Sequence, residues 1–219
     1  MSAHVDHLVV AAASLEQGAA WCEQLLGVSP VAGGKHASMG THNRLLALGS
    51  AAFPMAYLEI IAHDPDAPPP TRPRWFGLDD AALLERLRER PRLLHIVARS
   101  TRLDATLAAL RELGLDAGQA AAAERASPQG LYRWRIAGRA DGQLLRGGAL
   151  PTLIEWQGMH PSEHLPASGV ALHSLQLGGL DEPVGAALGL HGVTCTAQGV
   201  ALLAAFDTPR GRVPLSSDD

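Results

Sequence analysis

Apolar residues recur along this chain with two periods, and the switches between them divide it into three β-α-β segments. From 4 to 11 the run is apolar and partly β-branched, as a buried strand requires. Ser14 to Leu26 takes helical spacing, with Ser14 placed as N-cap, Gln17 three residues on and Gly27 as C-cap. Strands are expected near 28–32, 42–48 and 55–62. A proline-rich loop from Asp64 then ends the segment, and Asp79–Arg90 reads as an amphipathic helix.

The second segment repeats this order. A strand is expected over 92–99, a helix from Thr101 to Leu113, and strands near 117–124, 130–137 and 150–157. A third, shorter segment begins at Val170. It has a strand whose Leu172, Leu175 and Leu177 are expected to be buried, a helix over 181–188 and strands over 191–196 and 199–206. A loose polar tail is expected after Arg210. The fold class this implies is α+β: tandem βαβββ units over 1–162, and a partial third unit, 163–219, packed on them.

Composition changes the picture little. The chain has 219 residues, 47% of them hydrophobic and 18% charged, enough for a substantial core. A net charge of −4 gives no reason to expect nucleic acid or an anionic membrane as partner. Lys35 is the sole lysine among many arginines, as codon bias in a GC-rich genome would produce. Cys22 and Cys195 lie far apart and read as free thiols. The first residues lack the basic and long apolar regions of a signal peptide, so a cytoplasmic location is expected.

The polar residues inside apolar strands matter more. His7 stands in Val-Asp-His-Leu-Val-Val and Glu59 in Tyr-Leu-Glu-Ile-Ile. His95 stands in Leu-Leu-His-Ile-Val-Ala and Glu155 in Thr-Leu-Ile-Glu-Trp. A buried ionisable group is costly unless it is paired or binds a metal. Each of the first two segments supplies one His on its first strand and one Glu on its last. The four therefore point to one shared metal or acid–base site, with mutual pairing in a metal-free cleft as the alternative.

The run Gly33-Gly-Lys-His-Ala-Ser-Met-Gly-Thr-His-Asn-Arg-Leu-Leu-Ala-Leu-Gly49, with Tyr57-Leu-Glu-Ile-Ile-Ala after it, resembles the glyoxalase-like domain family of the vicinal oxygen chelate superfamily. Leu150-Pro-Thr-Leu-Ile-Glu-Trp and His160-Pro161 resemble that family's second half, so the resemblance covers about residues 1–162. It implies two units side by side whose curved sheets form a half-open barrel. It also implies a divalent metal (Zn, Ni, Fe, Mn or Co) held by His7, Glu59, His95 and Glu155. Glu59 or Glu155 would move a proton in lyase, isomerase or dioxygenase chemistry on a small oxygenated molecule. The rival reading is a metal-free binding or resistance protein of the same fold; a homodimer is compatible with either.

His36, His42, Asn43 and Arg44 are further candidates for substrate contact, beside a glycine-rich connection that allows close approach of the backbone. Alternation puts His42 and Arg44 on one face and Asn43 on the other. Trp134 and Trp156 read as core, and Trp156 should face away from the cleft if Glu155 faces into it. His173 and His191 read as structural or exposed. No phosphate-binding glycine motif occurs, which argues against nucleotide binding.

Overall fold

Ala3–Ala11 (β1) is buried at every position but one, so it needs cover on both faces. The computed structural model, which describes residues 3–219, supplies that cover. Helix α1 (Leu15–Leu26) follows. The Ser14 hydroxyl accepts from the Gln17 N–H, and Gly27 closes the helix at φ 78°. The first unit is completed by β2 (Val31–His36), β3 (Thr41–Ala47) and β4 (Tyr57–His63). After α2 (Ala81–Glu89), capped by Asp80, the second unit runs β5 (Arg92–Ser100), α3 (Leu103–Glu112), β6 (Gln119–Ser127), β7 (Gly130–Gly138) and β8 (Thr152–Trp156).

These eight strands form one curved sheet in the order β2-β3-β4-β1-β5-β8-β7-β6. In each unit the first strand runs parallel to the fourth, β1 with β4 and β5 with β8. The antiparallel pair β1–β5 joins the halves at the centre. The edge strands β2 and β6 come close enough that a Cβ on Gly34 would lie 2.1 Å from Arg125 Nη1. The sheet is thus a nearly closed barrel, open along one side.

The convex face carries the main core. Leu8 and Val10 of β1, Leu58 and Ile60 of β4, and Ile96 and Ala98 of β5 pack there with α1 and α3. The third segment packs into the same core through Leu172, Leu175, Leu177, Leu188 and Phe206. Its elements are β9 (Ala171–Gly178), α4 (Glu182–Leu188), β10 (Val193–Thr196), β11 (Leu202–Thr208) and β12 (Gly211–Ser216), in a four-stranded sheet of order β10-β9-β11-β12. The tail after Arg210, expected to be loose, forms β12 instead. It pairs along β11 and buries Leu215, so β11 is not left as an open edge. No helix among the described residues is long and apolar enough to cross a membrane.

Candidate functional site

The concave face carries a second cluster, Val9, Ala11, Ile61, Val97 and Ile154, roofed by Phe76, Leu78, Leu83 and Leu87. Polar groups interrupt this lining at one place. A bulge in β1 leaves Asp6 without a partner on β5, because pairing passes from Val5 directly to His7. An extra residue re-aims side chains, and Asp6 and His7 both engage groups inside the barrel.

Asp6 is fully buried. Its Oδ1 lies 2.7 Å from His7 Nδ1, and its Oδ2 accepts from Trp156 Nε1 and His160 Nε2, each at 2.9 Å. On the other side of the ring, His7 Nε2 lies 3.5 Å from Glu59 Oε2. Glu59 Oε1 accepts from Asn43 Nδ2 at 2.5 Å, and Asn43 Oδ1 accepts from the Gly34 N–H. Tyr57 stacks on the His7 ring at 4.7 Å. The result is a line of buried polar groups, Asp6–His7–Glu59–Asn43, across the joined strands.

Burial works against charge on His7, yet the hydrogen bonds to Asp6 and Glu59 outweigh it and raise its pKa to about 9. Burial likewise opposes ionisation of Glu59, and His7 overcomes it, holding the carboxyl at about 2. Asp6 is held well below the usual carboxylate range by His160 and His7, against its desolvation. At neutral pH the line therefore reads carboxylate, imidazolium, carboxylate. His36 beside it is neutral: burial lowers its pKa to about 4, and its Nε2 lies 3.4 Å from Asn43 Nδ2.

The line opens into a cavity of roughly 480 Å³, counted out to its mouth. Tyr57, Trp75, Phe76, Trp134 and Trp156 form aromatic walls, with His36 and Arg125 nearby. Phe76, held at φ 60° in a short turn, wedges against the sheet and separates this cavity from a neighbouring cleft.

Of the sequence candidates, the structure brings together His7, Glu59 and His36. It does not bring His95 or Glu155 to them. His95 lines the neighbouring cleft, and both of its ring nitrogens are engaged. Nδ1 lies 2.8 Å from the Gly148 carbonyl, and Nε2 accepts from the Thr152 N–H. Burial pushes its pKa down to about 3. Glu155 lies on the opposite face. It sits across from Arg135 on β7 and pairs with it at 3.0 Å, while Arg135 also binds Asp104 of α3. The alternation of β8 aims Ile154 and Trp156 inward, so Trp156, expected to face away, lines the cavity. His42 and Arg44 likewise fall on the face opposite Asn43, and His42 lies 3.9 Å from Asp64.

The four-ligand metal set implied by the resemblance does not fit this geometry. The His95 lone pair is taken, Glu155 is turned away, and among the described residues no three His, Cys, Asp or Glu side chains are grouped to hold a metal. Sequence reasoning missed Asp6, Tyr57, Arg125 and the inward role of His160, while Asn43, which it grouped with His36 and His42, lines the cavity. Asp6 stood next to His7, and His160 inside a motif already singled out.

A model of the glyoxalase-like domain matches residues 5–189. No curated protein matches the sequence. Among solved structures, a hypothetical protein from Staphylococcus aureus aligns at 11% identity over 99% of this chain and 86% of that chain, with a TM-score of 0.58. A methylmalonyl-CoA epimerase from Streptomyces coelicolor aligns at 16% identity over 71% of this chain and 96% of that one, with a TM-score of 0.43. The epimerase from Mycobacterium tuberculosis aligns at 19% over 69% and 85%, with a TM-score of 0.39. At 11% identity the Staphylococcus aureus structure shows a likeness of fold alone.

Proposed function

Because this chain belongs to the glyoxalase-like domain family, we propose that its aromatic cavity is the active site of an enzyme that moves a proton on a small oxygenated molecule, in lyase or isomerase chemistry. The observation that carries this reading is the buried His7 ring held between the carboxylates of Asp6 and Glu59, with Glu59 reaching the cavity. Glu59 is the base and His7 the electrophile. A substrate carbonyl oxygen entering beside His7 accepts from the Nε2–H that now faces Glu59 Oε2 at 3.5 Å. Glu59 then loses its main stabilising partner while it stays buried, and desolvation raises its basicity.

Its Oε2 removes a proton from the carbon next to the carbonyl. The C–H electron pair moves onto the carbonyl oxygen, and the resulting enolate is held by the imidazolium. Return of the proton from Glu59, to the same carbon or a conjugated one, completes an isomerisation. Asp6 is a positioning residue: it fixes the ring and its charge without touching substrate. No step is routed through a metal, since the donors present do not form a site for one.

The aromatic walls also suit simple sequestration of a ligand, the rival reading. Proton NMR in D₂O with a panel of small 2-oxo compounds, phenylpyruvate among them, separates the two. Proton transfer predicts enzyme-dependent exchange of the C–H beside the carbonyl, unaffected by a chelator and reduced ~100-fold or more in Glu59→Gln. Binding without exchange in the wild type, or exchange that survives Glu59→Gln, contradicts the proposal.

A further inference from the structure

We infer that the ligand of this cavity carries a carboxylate, which Arg125 and Trp75 hold. The inference rests on the proposed active site and names the ligand class it takes. Arg125 lies on the edge strand β6, opposite Tyr132, with its guanidinium carbon 5.8 Å from the centre of that ring. It reaches across the open side of the barrel to Gly34 on β2, where only a glycine leaves it room. Its Nη1 is buried and has no hydrogen-bond acceptor. Arg133, Arg135 and Arg139, on and after the neighbouring strand, each pair with a carboxylate.

Trp75 repeats the pattern. Its Nε1 is also buried without an acceptor, and its ring meets His36 edge-on at 5.0 Å. Arg125 and Trp75 both line the cavity that Glu59 faces. A buried donor left without an acceptor is costly, and more so where the group is charged. The protein's own acceptor there is already engaged, since Glu59 Oε1 takes the Asn43 amide and Oε2 faces His7. A ligand must therefore bring the acceptors.

A planar carboxylate matches the guanidinium fork, and its remaining lone pairs suit an indole N–H. The aromatic walls select an apolar body behind that group, so an aryl or alkyl carboxylate fits better than a polyanion. Arg125 is already felt inside the cavity. Burial dominates the lowered pKa of His36, and the charge of Arg125 adds to it.

Calorimetric titration of the intact protein with phenylacetate and with phenylacetamide, nearly the same shape without the charge, tests this. Phenylacetate should bind roughly tenfold tighter or better. Arg125→Gln should abolish the preference, and Trp75→Phe, which keeps the ring and removes the N–H, should reduce it by several-fold. Glu59→Gln should keep it. Equal affinity for the two probes, no binding of phenylacetate, or a preference that survives Arg125→Gln overturns the inference. A preference that depends on Arg125 in a protein without Glu59-dependent exchange leaves this inference standing and removes the proton-transfer reading. The reverse result removes this inference alone.

Discussion

The His7 ring is flanked on both sides by carboxylates, and its pH dependence follows from that. Its folded pKa, about 9, lies above the ordinary value of 6.5. The stability it contributes is fully present below pH 6.5 and is lost as pH rises through 9. His36 and His95 act the other way. Their folded values, about 4 and about 3, lie below 6.5, so the unfolded chain takes up protons first and stability falls as pH drops from 6.5. Thermal melts across pH should therefore peak near 6.5, and His7→Gln should flatten the alkaline limb. Asp6→Asn tests the same residue from its other side. Removing a buried partner charge should cost roughly 3 kcal/mol in denaturant unfolding at pH 7. It should also let His7 deprotonate at lower pH.

At the scale of strands, alternation decides which polar residue reaches the cavity. His7 and Glu59 were legible because both sit mid-strand among apolar neighbours covered on both faces. Glu155 looked the same in sequence, yet it lies next to the end of β8, where its outer face is a quarter exposed and Arg135 meets it. Alternation also paired His42 with Arg44 correctly; what the sequence could not reveal was which face of β3 turns inward. The β1 bulge had no signal at all, since Asp6 reads as an ordinary strand position. Glu155→Gln should therefore leave activity within about twofold and stability within ~1 kcal/mol, as for other exposed pairs. The two glycines of β2 should differ. A Cβ at Gly33 meets Asn43 Oδ1 at 2.1 Å and its backbone oxygen at 2.8 Å, so Gly33→Ala should lower both melting temperature and activity. At Gly34 the nearest atoms to the added carbon belong to the movable end of Arg125. Gly34→Ala should weaken ligand binding with little change in melting temperature.

Over the whole molecule, the two units supply different halves of one site. The first brings the charged line on β1, β3 and β4; the second brings Trp134, Trp156 and Arg125. Order of elements made the tandem units and the third segment legible. The strand order within that segment, β10-β9-β11-β12, and its β12 depend on long-range packing that periodicity does not report. The third segment hydrogen-bonds the first unit, through Leu172 N–H to the Leu48 carbonyl and Ala3 N–H to the Gly189 carbonyl, and shares its core. A chain ending at 165 exposes that core and should be insoluble; a soluble fragment with a native melting transition would show that the two units stand alone. Asp6 joins the halves, accepting from Trp156 and His160 while it holds the His7 ring, and the proposed reaction uses the charge on that ring. Histidine-selective ¹⁵N NMR of the intact protein measures that charge directly. One ring, identified by its loss in His7→Gln, should stay protonated on both nitrogens from pH 6 to above pH 8, while His36 and His95 stay neutral throughout. A His7 ring that is neutral at pH 7, or that titrates near 6.5 like an exposed histidine, contradicts the imidazolium between two carboxylates and the proton transfer built on it.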